Sequence, residues 1–253
     1  MLVGLAGCAL LGYYSVLTYL RSDMYGDDIR RTQLEAQYHE RSARSQYDAA
    51  ALLFIMYHQN PSPALVPLAN KHFEQANLAD PAFKMALLGM LQLDCLSGSE
   101  PRQQVYEELE RRLKVGVVAV QERSAMGGIA GAQNAGTLCL TREQVDNLFA
   151  SILANPLAQN GDRVKILNRY AMYLWLGQKD YNAAMKALND AFHYGDQDPV
   201  NRLNAIQLSR VLGDKEGVLK GLAHFEGRDL DKINRDRLLE IKKELIKDGV
   251  LEN

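Results

Sequence analysis

Cysteine, tryptophan and proline are scarce in this chain, with three, one and seven among 253 residues. Three cysteines are too few for a disulfide-dense scaffold, and no Cys-x-x-Cys or Cys/His spacing supports a metal site. The histidines, His39, His58, His72, His193 and His224, are scattered, and none sits four residues from another on one helical face. A Gly-x-Ser-x-Gly elbow and a cysteine-histidine nucleophile signature are also missing. Charge of one sign is lacking as well: 29 basic against 31 acidic side chains leave a formal charge of -2. With no cluster of Lys and Arg interleaved with aromatics, that balance argues against a nucleic-acid partner. Paired acids such as Glu107-Glu108 and Asp27-Asp28 fall in charged helical stretches and read as solvated surface. The absences together predict a protein without metal or cofactor that is not an enzyme.

What is present is an ordinary globular composition, 47% hydrophobic and 24% charged, which excludes intrinsic disorder and predicts a packed core. The first strong feature is the run Leu2 to Leu20, without a charged residue and followed at once by Arg21, Ser22 and Asp23. At about 1.5 Å per residue such a helix approaches the roughly 30 Å of a bilayer's hydrocarbon core. Tyr13, Tyr14 and Tyr19 suit the interface. The expectation is a transmembrane anchor over residues 1–22, a single pass through a bacterial inner membrane with the soluble region on the periplasmic side. A buried core helix is the alternative. A cleaved secretory signal fits less well, because no basic region precedes the run and no Ala-x-Ala pattern lies near Leu20. Leu5-Ala6-Gly7-Cys8 matches the pattern at which bacterial lipoproteins are acylated on the cysteine. Only seven residues precede Cys8, however, and the apolar run continues beyond it.

Beyond this run the apolar period is helical almost throughout, with no sustained alternation to mark a sheet, so the fold class is all-α. Helices are expected over about 28 to 58 (one long or two short), Pro67 to Ala79, Ala82 to Leu96, Ser99 to about Lys114 with Ser99 as cap, Thr141 to Ala154, and Ile233 to Asp248. Thr141-Arg142-Glu143-Gln144 fits a capping box, and Gly249 fits a C-terminal stop. In the last helix Glu240 with Lys243, and Glu244 with Lys247, have favourable pair spacings. The glycine-rich stretch Gly127 to Gly136 reads as irregular, a close helix crossing or a flexible connector. It lacks both the dinucleotide and the Walker glycine patterns. The expected organisation is an N-terminal helical region at 23–96, an irregular helical region at 97–155 and a C-terminal repeat region at 156–253. Cys95 closes one apolar helical run and Cys139 precedes the next helix. In an oxidising compartment they would form a disulfide, and otherwise two buried thiols.

Short side chains recur at fixed offsets. Ala184 and Ala191 lie seven apart and are followed by Pro199; Ala69, Ala76 and Pro81 keep spacings of seven and five. A shift of 34 from Asp180 and Ala184 lands on Asp214 and Val218, and the same shift from Ala191 lands on Phe225. Antiparallel helices approach closely only where their crossing points carry little side chain, and proline ends each unit because it cannot continue a helix. On these residues the chain resembles the tetratricopeptide repeat family of stacked helix-turn-helix units. In the unit at about 199 to 232, Val218 and Phe225 stand where that family has alanines. The run of a membrane span, helix pairs, Cys139-Leu140-Thr141, Leu148-Phe149 and Ala154-Asn155-Pro156 is also similar to the soluble helical-repeat regions of Gram-negative envelope glycan proteins of the O-antigen ligase and pilin-glycosylating kind. No catalytic motif carries over.

The first resemblance implies a concave groove for protein partners, with Arg169 and Tyr173 on the inner face of one unit's first helix and Asn204 and Gln207 one unit on. There Arg169 would pair a carboxylate, Asn204 would bond peptide backbone and Tyr173 would pack side chains. The family's two-lysine carboxylate clamp is not reproduced. The expected function is a non-catalytic membrane-anchored scaffold that docks protein partners in a bacterial envelope assembly or glycan pathway. The alternatives are a lipoprotein assembly factor of the kind that serves pilus or exopolysaccharide secretins, and an accessory subunit of a glycosyl-transfer complex.

Overall fold

The structure, a computed structural model, describes residues 13–19, 27–118, 120–195 and 198–251. Among the described residues there is helix, turn and loop but no strand, so the fold is all-α. Residues 13–19 are helical (α1) and exposed. The rest of the apolar run at 2–20, including Cys8, lies outside the described residues; among those described, no helix is long and apolar enough to cross a membrane.

The helices that follow are α2 (Asp28–Tyr38), α3 (Ala43–Gln59), α4 (Leu65–Ala79), α5 (Met85–Leu96), α6 (Gln103–Val115), α7 (Val120–Asn134), α8 (Arg142–Leu153), α9 (Asn160–Met172), α10 (Tyr181–Tyr194), α11 (Pro199–Val211), α12 (Lys215–Ala223) and α13 (Lys232–Lys247). Each N-terminus leaves amide groups without an intrahelical acceptor, and short polar side chains supply one. Asp27, Ser42, Asp180, Asp198, Asp214 and Asp231 each accept a bond from an amide in the first turn of α2, α3, α10, α11, α12 and α13. Thr141 and Gln144 form the predicted capping box at α8, and Gly249 takes the left-handed conformation, φ 71°, after α13.

Two expectations at this level are corrected. The helix expected from Ser99 begins at Gln103, and its N-cap Arg102 makes no side-chain cap. The carboxylate of Asp94 serves there instead, accepting from the Arg102 amide at 3.2 Å and from its guanidinium at 3.0 Å. Most of the glycine-rich stretch, as far as Asn134, is not irregular but the second half of a regular helix, α7, because Ala125, Met126, Ile129 and Ala130 recur at helical spacing and are buried. The helix-crossing reading stands, since α7 packs on α9 with Gly127 against Arg169. Burial of that stripe outweighs the roughly 1 kcal/mol that each glycine costs a helix.

The chain divides into two compact units, Met1–Leu93 and Asp94–Asn253, so residues 97–155 and 156–253 belong to one unit. In the first unit α2 packs on α3, and α3 on α4 across the turn that holds Pro61 and Pro63. Ala49 and Ala50 on α3 and Ala69 and Ala76 on α4 are buried. The Phe73 ring lies against Gly89, where a methyl group would come within 2.4 Å of it. The Tyr47 ring packs against Phe73 and Phe83.

The second unit is a succession of helical hairpins. α9 packs on α10 and α11 on α12, each pair joined by a short turn, and α7, α9, α11 and α13 pack one on the next as a row. Ala184 and Ala191 are fully buried on α10. Between α11 and α12 the close approach falls at Gly221, whose added Cβ would meet Ile206 at 2.4 Å. That explains why this hairpin tolerates Val218 and Phe225 at the positions expected for alanine. Its core is Leu203, Ile206, Val218, Leu222, Phe225, Leu238, Ile241 and Leu245. Side-chain bonds join residues one hairpin apart: Arg142 to Asp180, Asn204 to Asn168, and Arg210 to Glu244 and Asp248. Glu244 therefore pairs with Arg210 of a neighbouring hairpin, and among the described residues neither Glu244 with Lys247 nor Glu240 with Lys243 forms the pair its spacing suggested.

Candidate functional site

The row of α7, α9, α11 and α13 places one side of each helix on a common face. Between α7, α9 and α11 this face sinks into a groove of about 430 Å³. Its lining comes from the N-terminal turns of α7 (Val120, Arg123, Ser124), from α9 (Lys165, Asn168, Arg169, Met172) and from the start of α11 (Asp198, Val200, Asn204). On α9 these positions follow helical spacing, which is why one helix delivers Lys165, Asn168, Arg169 and Met172 to a single stripe.

The floor is polar and buried. Asn168 is 7% exposed and Asn204 4%. Asn204 Nδ2 donates to Asn168 Oδ1 at 2.8 Å, and Arg237 from α13 donates to Asn204 Oδ1 at 2.5 Å and to Gln207 Oε1 at 2.9 Å. A ladder of side-chain hydrogen bonds thus runs across three successive helices of the row, with amides on α9 and α11 and a guanidinium on α13. The Asn168 Nδ2 group donates to no described residue.

The charges of the groove are not equally engaged. Arg123 is paired with Asp162, whose other oxygen accepts the Gln159 amide at 3.3 Å. Asp198 accepts the Asn201 amide at 3.1 Å as the cap of α11. Lys165 and Arg169 are exposed and, among the described residues, have no acceptor. The stem and guanidinium of Arg169 lie across Gly127, within 3.5 to 3.8 Å of where a Cβ would stand. Arg237 is half-buried with only neutral amide acceptors, and desolvation pushes its guanidinium below the ordinary value.

Of the residues expected from the sequence, the structure brings Arg169 and Asn204 into the groove. Gln207 sits beside it, held by Arg237. Tyr173 is a correction: it is 0% exposed and belongs to the core. Residues one turn apart drift by about 40° around an α-helix, and here the drift turns Tyr173 toward α8, where its ring stacks on Phe149 and Tyr170. Tyr173 opens a π-helical turn, Tyr173–Gly177, and Met172 takes the place expected for it. Burial and the nearby Asp146 push the Tyr173 hydroxyl up to about 12, and burial likewise raises that of Tyr170, which donates to Asp146 at 3.0 Å. Both hydroxyls are therefore protonated at neutral pH, and neither serves as a base. Lys165, Asn168, Met172 and Arg237 were not anticipated. The signal that would have found the ladder is the spacing of its polar members, Asn168 to Asn204 at 36 residues and Asn204 to Arg237 at 33.

Cys95 and Cys139 form a disulfide with Cα atoms 5.3 Å apart, tying the end of α5 to the segment that leads into α8. Among the described residues no group of three His, Cys, Asp or Glu side chains is placed to hold a metal ion. Comparison with family models, with curated proteins and with solved structures finds no match to this chain.

Proposed function

We propose that this protein is a non-catalytic scaffold of tetratricopeptide-like hairpins that docks a partner polypeptide in the groove between α7, α9 and α11. The apolar run 2–20 would tether it to a bacterial inner membrane. The observation that carries the docking reading is the groove itself: exposed Lys165 and Arg169 without an acceptor among the described residues stand above a buried asparagine floor. Cations held over fixed amides, flanked by Val120, Met172 and Val200, suit an extended chain that offers carboxyl, carbonyl and apolar groups in turn. An envelope assembly or glycan pathway is the setting, on the strength of the resemblance to envelope glycan proteins.

A photoreactive diazirine residue placed at position 200 in the full chain, in native membranes, tests the docking reading. Val200 is 40% exposed and lines the groove, whereas Leu219 is 51% exposed on α12 and does not line it. A protein adduct is expected from position 200 and not from position 219. No adduct at 200, or the same adducts from both, overturns the reading.

A further inference from the structure

The half-buried guanidinium of Arg237 stands out among the charges of the second unit. Asp94 has Arg102, Arg123 has Asp162, Arg142 has Asp180, and Arg210 has Glu244 and Asp248. Arg237 has only the neutral oxygens of Asn204 and Gln207 among the described residues. Moving a cation out of water is costly unless a counter-charge meets it, and a neutral amide returns only part of that cost. Lys165 and Arg169, one turn apart on α9 and separated from Arg237 by α11, are also without described acceptors. Asp198, which lines the groove, caps α11, Asp162 is paired with Arg123, and Asp236 and Glu240 share a separate depression with Arg237 without an ion pair to it among the described residues. A chain whose formal charge is -2 thus carries, on α9 and α13, three cations without a described counter-charge.

Resting on the docking reading above, we infer that the occupant is an extended acidic peptide segment whose carboxylates are met by Lys165, Arg169 and Arg237. The three cations are spread over two helices of the row instead of converging on a point, which suits carboxylates spaced along a chain better than a single phosphate. The buried amide of Asn168 and the apolar Val120, Met172 and Val200 lie in the same groove, placed for backbone carbonyls and intervening apolar side chains. None of the described lining residues is aromatic, so the stacking platform on which single-stranded nucleic acid depends is missing.

The test uses the position-200 diazirine chain in native membranes and compares it with versions that also carry K165Q and R169Q, or R237Q. An unchanged melting temperature verifies that each version folds, since Arg169 packs across Gly127 and Arg237 bonds Asn204 and Gln207. Adduct yield should fall at least about tenfold for each, the loss of charge-assisted bonds at an interface. It should also fall as salt is raised from about 0.05 to 0.5 M, where screening shortens the range of surface charges to a few ångströms. Sequencing of the adduct should place Asp or Glu within a few residues of the crosslink. Yield that is indifferent to both variants and to salt, an adduct peptide without acids, or an adduct that is lipid or nucleotide overturns the inference. The first two of these outcomes leave docking standing, whereas absence of any adduct removes docking and the inference together.

Discussion

Asn155 shows how much one polar side chain holds. It is fully buried where α8 ends, and its Nδ2 donates at 2.7 Å to the carbonyls of both Leu113 and Gly116, while its Oδ1 accepts the Leu157 amide at 2.8 Å. Asn155→Ala would leave two carbonyls and an amide without this partner, a loss of at least about 3 kcal/mol at roughly 1 to 3 for each buried unpaired group. Asn155→Asp, nearly the same in shape, should be worse at neutral pH, because its carboxylate would face two carbonyl oxygens. Urea midpoints check the order wild type, Ala, Asp; an Asp variant as stable as wild type would contradict the assignment. His72 gives a prediction in pH. Its Nδ1 lies 2.7 Å from Gln46 Oε1, and Gln46 Nε2 donates to the Ala36 carbonyl, so Nδ1 is the donor in that pair. Burial first and Lys71 second lower its pKa below 6.5. The unfolded chain then binds the proton more readily than the folded one, so this contribution is complete above pH 6.5 and is lost as pH falls toward the folded value. His72→Gln should flatten that part of the stability profile.

At the scale of the element, some helix ends were legible from a local signal, whereas the local Ser99 signal misplaced the start of α6. Thr141 marks the N-terminus of α8 because its short polar side chain reaches its own first turn; Asp180 and Asp214 do the same at α10 and α12 and entered the sequence reading only as repeat positions. The start of α6 was not legible, since its amide is met by Asp94 from the preceding helix, eight residues back. α7 was hidden by its glycines, because what makes it a helix is the burial of Met126 and Ile129 against the rest of the unit. The same glycines separate two physical roles and predict opposite signs. Gly131 on α7 has nothing within 4 Å of where its Cβ would be, so Gly131→Ala should stabilise by about 0.5 to 1 kcal/mol through the unfolded state. Gly221 on α12 faces Ile206 at 2.4 Å, so Gly221→Ala should overpack the hairpin and cost about 1 to 3 kcal/mol. Thermal midpoints that move the same way for both would show that the crossing is misplaced.

At the scale of the whole molecule, the α9–α10 pairing was legible because Ala184 and Ala191 lie fully buried where two helices touch, whereas the next hairpin makes its close approach at Gly221, off the tandem interval of those alanines. The groove was legible only in part. Arg169 and Asn204 follow from that interval, but Arg237 lies beyond the last hairpin the small residues mark, and Tyr173 was lost to the slow rotation of a helix face. The link between distant parts of the second unit is the disulfide, whose cysteines are 44 residues apart. Cross-linking positions so far apart removes conformations from the unfolded chain, which for a loop of that length is worth about 4 kcal/mol in the chain-entropy account, with roughly 2 to 4 as the usual range. Cys95→Ser with Cys139→Ser should therefore lower stability by that amount, and reductant should lower the wild type equally while leaving the double variant where it was. Reductant acts on the unfolded state and leaves the α7, α9 and α11 contacts as they are. Crosslinking at position 200 should thus persist in reduced protein below its melting temperature, and its loss there would mean that the strap from Cys95 to Cys139 shapes the groove as well as holding the unit together.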